Sequence, residues 1–415
     1  MSSTRPSDSR PHLLGGLAAC LLAVALLASA AGYSRWREKR SLNAVAPELF
    51  QAKNQGVVLA QAAMQNATLL PVYGGSELQK DAWGRAPVFF EKAPTGFAVF
   101  AIGKEGTMPL NMLHRVAALG DTVRGKKVVV LLSPTWFLRP TVHPRFYEGN
   151  FSTLQAQEFA FNSRIDFALK QEVARHMLEY PSTLWGKPLL RFAVRRLASG
   201  TILDRVLYTA AIPLARLENA VLRMQDHLET MSYLRATGPV PAPFHIHERP
   251  LDWRQLFADA ERKTYNEADA DPKPEKAFHE IETGGDAAFA DVVAKAHEWS
   301  HLDLLFRTLS QLGAKPLLLS PPLNGPYLDR IGIAPGVREG FYTKLQGMAA
   351  QYGFALIDFQ GHEEDPKFLA DRHDHPSVRG WMYYNAALDG FYHGKPMVSL
   401  EMDAETKKLG ASPAP

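Results

Sequence analysis

Five short apolar segments, separated by stretches of helical periodicity, constrain the fold of this chain more than any other feature. They are residues 68–73, 97–102, 127–132, 315–320 and 354–358. Short uninterrupted apolar runs are typical of strands that are buried on both faces, as in a parallel sheet covered by helices. Right-handed crossovers between such strands produce a doubly wound arrangement. The sequence therefore predicts an α/β fold with a five-stranded parallel doubly wound sheet.

Three stretches between or after these segments have the periodicity of helices. Residues 110–119 form the first, and residues 342–349 form the third. The second contains leucines and a phenylalanine at helical spacing between Leu302 and Leu312. Gly313 follows directly, and a glycine commonly ends a helix because it adopts left-handed backbone angles without a steric cost. We expect these helices to cover the sheet.

A long interval, about residues 140–297, interrupts the alternation and is predicted to be a mostly helical insert. One part of it has apolar residues at alternating spacings of three and four. Such a stripe usually faces a core, so we expect this side of the helix to be buried. The residues of the stripe are Leu214, Leu217, Val221, Met224, Leu228 and Met231.

The N-terminus contains an uncharged apolar run, residues 13–32. About 20 residues at a rise of about 1.5 Å suffice to cross a bilayer core. We predict that residues 1–40 form a cytoplasmic N-terminus and a transmembrane anchor, residues 41–400 the catalytic domain, and residues 401–415 a flexible tail. A cleaved signal peptide is the alternative, since residues 28–30 (A-S-A) fit a cleavage site.

The charges around this run leave its orientation open. More Lys and Arg residues follow the run than precede it, which favours a cytoplasmic body under the positive-inside rule. The short N-terminus and the signal-like layout favour export instead. The remaining composition excludes other classes. A net charge of +3 is too small to indicate nucleic-acid binding, and the single cysteine, Cys20, allows no disulfide within the chain.

Small and polar residues follow every predicted strand. Ligands of open α/β sheets bind at the carboxyl ends of the strands, so these residues are expected to share one edge of the sheet. Gly75, Gly103, Thr135, Trp136 and Asn324 are candidates for oxyanion or substrate binding. The full set is Gly75 and Ser76 after the first strand, Gly103 after the second, Thr135 and Trp136 after the third, Asn324 after the fourth, and Asp371, Asp374 and His375 after the fifth.

Ser76 and His375 are the candidate nucleophile and general base. A serine hydroxyl is a poor nucleophile until a base accepts its proton, and a carboxylate is needed to orient that base. Asp371 is the predicted orienting acid, with Asp374 as the alternative, and His373 is a less favoured base. The competing interpretation of Ser76 is a helix N-cap.

Residues 297–301 (H-E-W-S-H) match the H-E-x-x-H pattern of zinc metallopeptidases. No convincing third ligand follows the pattern in the sequence, so we expect a solvated first helical turn and no metal or other cofactor. A zinc metallopeptidase remains a minor alternative.

Several motifs, in order, resemble the DltD family of D-alanyl transfer proteins, which are SGNH-hydrolase-like membrane proteins. The resemblance covers about residues 45–395. The matching blocks are residues 74–78 (G-G-S-E-L), 133–137 (S-P-T-W-F), 150–152 with Asn162, 321–325 (P-P-L-N-G), and His375 with Gly380 and Trp381. The family has serine in place of Gly75, and an aspartate three rather than four residues before the histidine. This spacing leaves the acid open between Asp371 and Asp374.

The resemblance implies an SGNH-like, flavodoxin-like fold and acyl-ester chemistry on D-alanine. It also implies a single-pass protein of the cytoplasmic membrane with an extracytoplasmic body. The expected partners are a membrane-bound O-acyltransferase and a D-alanyl carrier or a teichoic-acid-like envelope polymer. A non-catalytic module that assembles the carrier and the acyltransferase is the alternative function.

Overall fold

The computed structural model describes residues 10–47, 56–79, 83–236, 251–264, 278–371 and 374–395. The five apolar segments form one parallel sheet whose strand order is β2-β1-β3-β4-β5. This is the flavodoxin-like order of doubly wound folds, so the predicted fold class is confirmed. The observed strand ends differ from the predicted ones by at most one residue. The strands are β1 Leu69–Gly74, β2 Ala98–Gly103, β3 Lys127–Leu131, β4 Lys315–Leu319 and β5 Ala355–Ile357.

Helices cover both faces of the sheet. Alternate strand residues point to opposite faces, and the buried side chains accordingly fall into two large clusters. Tyr73 and Val130 belong to one cluster, and Val72 and Val129 belong to the other. The helices are α1 Arg10–Val45, α2 Val57–Met64, α3 Ala86–Lys92, α4 Pro109–Ala117, α5 Arg145–Asn150, α6 Thr153–Ala160, α7 Phe167–Leu178, α8 Pro188–Ser199, α9 Ile202–Ala236, α10 Trp253–Lys263, α11 His279–Lys295, α12 Glu298–Leu312, α13 Gly325–Arg330, α14 Pro335–Gln351 and α15 Val378–His393.

The three helices predicted from periodicity correspond to α4, α12 and α14. Gly313 ends α12 with a φ of 70°, the left-handed conformation that the sequence indicated. The interval 140–297 is also largely helical, with α5 to α11 in its described parts. These predictions are confirmed, because each rests on a long and strongly periodic pattern.

The prediction for the stripe on α9 is wrong. Leu214, Leu217, Val221 and Leu228 are between 55% and 65% exposed, Met224 is half-buried, and Met231 is buried. The opposite side of α9 packs on α1, α2, α6 and α8 instead. Periodicity shows that a helix has an apolar side, but it does not show which neighbour covers that side.

The N-terminal helix α1 has two different halves. Its N-terminal apolar half is exposed, and the helix is long and apolar enough to cross a membrane. Its C-terminal part is buried against α2 and α9. There the Glu38 carboxylate lies 2.7 Å from His227 Nδ1, and both side chains are buried. The tail 401–415, residues 1–9 and His373 lie outside the described residues.

Candidate active site

The candidate site lies where β1 and β3 are neighbours and the chain leaves the sheet in opposite directions. Crevices form at such switch points, beyond the carboxyl ends of the strands. Ser76 begins the helical turn Ser76–Leu78 directly after β1. Thr135 lies in the turn Pro134–Trp136, just beyond β3. Two of the strand ends that the sequence singled out therefore border one crevice.

Ser76, His375 and Asp371 form a continuous chain of hydrogen bonds. Ser76 Oγ lies 2.8 Å from His375 Nε2, and His375 Nδ1 lies 2.6 Å from Asp371 Oδ2. The histidine side chain is 12% exposed and that of the aspartate 23%. When the carboxylate accepts the Nδ1 proton, Nε2 is left to accept the serine proton. The arrangement has the geometry of a nucleophile, a base and an orienting acid.

A tight loop brings the acid and the base together. The Ala370 amide donates to the carbonyl oxygen of His375 at 2.8 Å, and Leu369 and Pro376 form an isolated antiparallel bridge. These contacts bring residues 369–371 close to residues 375–376. Asp371 and His375 can therefore meet although four positions separate them, one more than in the family pattern.

Asp374, the alternative acid, has other partners. Its Oδ2 accepts hydrogen bonds from the hydroxyls of Ser133 and Thr135, the latter at 3.2 Å. The residue is only 8% exposed. Asp374 thus connects the loop of the base to the end of β3. The Thr135 hydroxyl, proposed from the sequence as an oxyanion donor, is directed toward this carboxylate.

Glu77 is a site residue that the sequence analysis did not select. Its Oε1 accepts a hydrogen bond of 2.7 Å from the Gly75 amide. Burial, and to a smaller extent the negative charge of Asp374, raises the pKa of Glu77 to about 7. A Cβ atom on Gly74 would lie 2.5 Å from Oε1, so glycine is needed there to make room for this carboxyl group. The position of Glu77, next to the candidate nucleophile, was the available sequence signal.

These residues border a cavity of about 720 Å³. Gly75, Ser76, Thr135, Trp136 and His375 all line it, together with Glu77 and Asp374. Charged side chains of both signs complete the wall, among them Glu105, Arg139, Arg145 and Glu280. The guanidinium of Arg139 lies 5.5 Å from the centre of the Trp136 ring. The cavity can hold a small acyl group together with part of a charged acceptor.

Two of the five candidates for oxyanion or substrate binding lie outside the lining of this cavity. Gly103 faces the end of β1, where a Cβ atom would come within 2.2 Å of the Gly74 oxygen. Asn324 caps α13 by accepting from the Tyr327 amide, and its Nδ2 donates to the Asp371 carbonyl at 3.2 Å. Gly103 therefore permits close pairing of the strands, and Asn324 positions the backbone of the acid loop.

The H-E-x-x-H segment is not solvated, so that part of the sequence prediction is wrong. The side chains of Glu298 and His301 are 1% and 0% exposed, while His297 is 34% exposed. Both α4 and α7 pack against α12, and His176 of α7 lies 3.2 Å from His301. That packing joins residues far apart in the chain, which local periodicity cannot reveal.

Comparison with known proteins agrees with the resemblance seen in the motifs. The family described as DltD protein matches residues 46–393. Protein DltD of Bacillus subtilis (strain 168) is 27% identical over 364 residues, 86% of this chain and 89% of that protein. Protein DltD of Staphylococcus aureus (strain NCTC 8325 / PS 47) is 20% identical over 84% of this chain and 87% of its own length.

Protein DltD of Lacticaseibacillus rhamnosus is 24% identical over 335 residues, 78% of this chain and 77% of that protein. The family match includes all five strands and both partners of the Ser76–His375 contact. It covers most of the chain, and the chain therefore belongs to the DltD family.

Proposed function

We propose that this protein is a membrane-anchored acyl transferase or esterase in the D-alanylation of a teichoic-acid-like envelope polymer. D-alanylation is the process to which the DltD family is linked. The observation that carries the enzymatic part is the hydrogen-bonded chain from Asp371 through His375 to Ser76. Such a chain activates a hydroxyl for attack on an acyl group.

The reaction proceeds through a Ser76 acyl-enzyme. His375 Nε2 takes the serine proton while Oγ attacks the carbonyl carbon of the D-alanyl ester or thioester. His375 then gives this proton to the leaving group as the bond to the donor breaks. Asp371 stabilises the imidazolium formed in between. In the second half, His375 takes the proton of an acceptor hydroxyl, or of water, while the acceptor oxygen attacks the acyl-enzyme. The bond to Ser76 Oγ then breaks, and His375 returns the proton to Oγ.

The developing oxyanion needs donors that are fixed before the reaction starts. We assign this role to the Ser76 amide, which stands at the start of a helical turn. The Gly75 amide is directed to Glu77 instead. The negative charge on the carbonyl oxygen would then form beside the turn that presents the nucleophile.

The wall of the cavity suits a polyanionic acceptor. Arg139 and Arg145 line it, each with its guanidinium against an aromatic ring, Trp136 and Phe146 respectively. Planar guanidinium groups bind phosphate oxygens through paired hydrogen bonds. We propose that these arginines hold the phosphates of the polymer while one of its hydroxyls approaches the acyl-enzyme.

We place the body outside the cytoplasm, attached to the cell inner membrane by α1 as a single span. Its proposed partners are a membrane-bound O-acyltransferase and a D-alanyl carrier. A reporter enzyme fused after residue 50 should be active only on the extracytoplasmic side. Activity in the cytoplasm would contradict this orientation and support the cytoplasmic body that the positive-inside rule favours.

Labelling with a fluorophosphonate tests the catalytic part. The purified full-length protein should react at one serine, and Ser76→Ala should abolish the labelling. Ser310→Ala is the matched control, since Ser310 is an exposed residue of α12. Equal labelling of the Ser76→Ala and Ser310→Ala variants would rule out Ser76 as the nucleophile.

The exposed apolar side of α9 favours a second candidate, the assembly module. Seven apolar side chains on this side of α9 are more than half exposed. They are Ile202, Leu203, Val206, Leu214, Leu217, Val221 and Leu228. An exposed apolar surface of this length is typical of an interaction site. If cells with Ser76→Ala retain D-alanine esters at unchanged protein abundance, assembly is the function. If the esters disappear, the function is catalysis by Ser76.

A further inference from the structure

Three histidines and a glutamate converge where the insert meets the sheet domain. His176 lies in the last turn of α7, and Glu179 follows that helix. His297 and His301 lie at the start of α12. We call these four residues the three-histidine cluster. Their potential ligand atoms all lie within 4.8 Å of one another.

The individual distances are close to those of a metal site. His301 Nε2 lies 3.2 Å from His176 Nδ1, and His297 Nε2 lies 3.5 Å from Glu179 Oε2. His176 Nδ1 is also 3.2 Å from Glu179 Oε1. In a tetrahedral zinc site with bonds of about 2.0–2.1 Å, neighbouring ligand atoms are roughly 3.3–3.4 Å apart. Small side-chain rotations would bring the four ligand atoms to these separations.

Glu298 orients one of the histidines. Its two carboxylate oxygens lie 3.1 and 3.0 Å from His301 Nδ1, and both side chains are buried. A carboxylate at Nδ1 fixes the proton on that nitrogen and leaves the lone pair of Nε2 for a metal. Here Nε2 is the atom that faces His176.

The same contact separates this site from a peptidase. In the H-E-x-x-H peptidases the glutamate faces the metal-bound water and acts as the general base. Glu298 lies behind His301, on the side away from the cluster. In addition, the cluster supplies four protein ligands, whereas catalytic zinc sites keep one position open for water.

We propose that His176, Glu179, His297 and His301 bind one divalent transition-metal ion, with zinc as the expected occupant. The ion links α7 of the insert to α12 of the sheet domain and so has a structural role. Imidazole and carboxylate ligands suit zinc, nickel or copper, while magnesium prefers oxygen ligands and water. The H-E-x-x-H pattern indicated two of these ligands, His297 and His301, but no local pattern pointed to His176, which lies 125 residues before His301.

Metal content and thermal unfolding test the proposal without an activity assay. The full-length protein, purified with a tag free of histidine, is stripped with a chelator and dialysed against Zn²⁺ or Mg²⁺. We expect one zinc per chain, no retained magnesium, and a higher melting temperature with zinc. His297→Ala and Glu179→Gln change partly exposed ligands and should each weaken zinc binding by about 10-fold or more.

His279→Ala is the matched control, since it removes an exposed histidine at the start of α11. It should bind zinc as the parent does. The proposal is overturned if the parent holds no more zinc than His297→Ala, or if both ligand variants keep the stoichiometry and affinity of the parent. Circular dichroism before zinc is added shows that each variant is folded, so that a loss of binding reports on the ligands.

Discussion

The candidate active site and the three-histidine cluster both contain an imidazole whose Nδ1 faces a carboxylate. At the candidate active site the pair is His375 and Asp371, 2.6 Å apart, and in the cluster it is His301 and Glu298, 3.0 Å apart. The difference lies at Nε2. In one site it meets the Ser76 hydroxyl beside a cavity, and in the other it meets His176 at a junction between helices. The group at Nε2 thus determines whether the histidine can act as a base or as a ligand.

The surroundings increase this difference. His375 borders a cavity of about 720 Å³ that a substrate can enter. His301 is fully buried. Burial, with smaller effects from His301 and His297, lowers the pKa of His176 to about 4. The imidazole of His176 is therefore neutral at pH 7. The other residues of the three-histidine cluster, which lie beside it, have no proposed role in proton transfer to a substrate.

The largest expected effect concerns the serine–histidine pair. Ser76→Ala and His375→Ala should each lower turnover by about 10⁴- to 10⁶-fold, because the residues act as one unit. For the same reason the double variant should be little worse than either single one. D-alanyl-ester turnover by purified protein measures this. If Ser76→Ala kept full activity, the proposal that Ser76 and His375 form a catalytic pair would be wrong.

A smaller loss should separate the two aspartates. Asp371→Ala should lower turnover by about 10²- to 10⁴-fold, because packing can still hold the imidazole partly in place. Asp374→Ala should cost about 10-fold, since Asp374 binds Ser133 and Thr135 rather than His375. Turnover and fluorophosphonate labelling rates measure both. A crippling Asp374→Ala beside a silent Asp371→Ala would reverse the assignment of the acid.

Loss of a ligand from the three-histidine cluster should lower the stability of the protein and leave its turnover nearly unchanged. His297→Ala should change turnover by less than about twofold and, in zinc, lower the melting temperature by about 2–6 °C. Without zinc the variant and the parent should unfold at nearly the same temperature. If zinc instead restored turnover to a stripped enzyme and His297→Ala abolished that effect, the cluster would be catalytic and the contrast between the two sites would fail.

The smallest effect concerns Glu77 and depends on pH. Its pKa is raised from 4.5 to about 7, so the folded state holds this proton more tightly than the unfolded state. Stability is therefore lost as pH rises from about 4.5 to about 7. Glu77→Gln keeps an acceptor for the Gly75 amide and avoids the loss.

The free energy of unfolding of the variant should equal that of the parent near pH 4.5. At pH 8 it should exceed that of the parent by about 1–2 kcal/mol, because solvent reaches part of the carboxyl group and weakens the effect. Denaturant unfolding at both pH values measures this. A constant difference between variant and parent from pH 4.5 to 8 would contradict the raised pKa.

The sequence was informative where structure depends on local patterns. Strand ends were predicted within one residue because buried parallel strands are short, continuous apolar runs. Ser76 and His375 could be selected because parallel strands bring their carboxyl ends to a single edge. The choice between Asp371 and Asp374 stayed open, since it depends on how the Ala370 amide pairs within its loop.

Features that depend on distant contacts were missed. His301 is covered because α4 and α7 pack against α12, and the exposed stripe of α9 reflects which of its sides meets α1 and α2. Glu77 was not selected as a site residue, because its raised pKa arises from burial after folding.

The unbroken course of α1 has a mechanical consequence for the reaction. Its 36 residues reach about 54 Å, and a bilayer core takes up about 30 Å of this length. With the apolar half in the membrane, as proposed, the remainder is clamped into the body by the buried pair of Glu38 and His227. The helix would then act as a rigid support between the membrane and the body, and not as a flexible tether. Under the proposed anchoring and function, Ser76 would stay at a nearly constant height above the lipid, and the polymer would have to reach it at that height to be acylated.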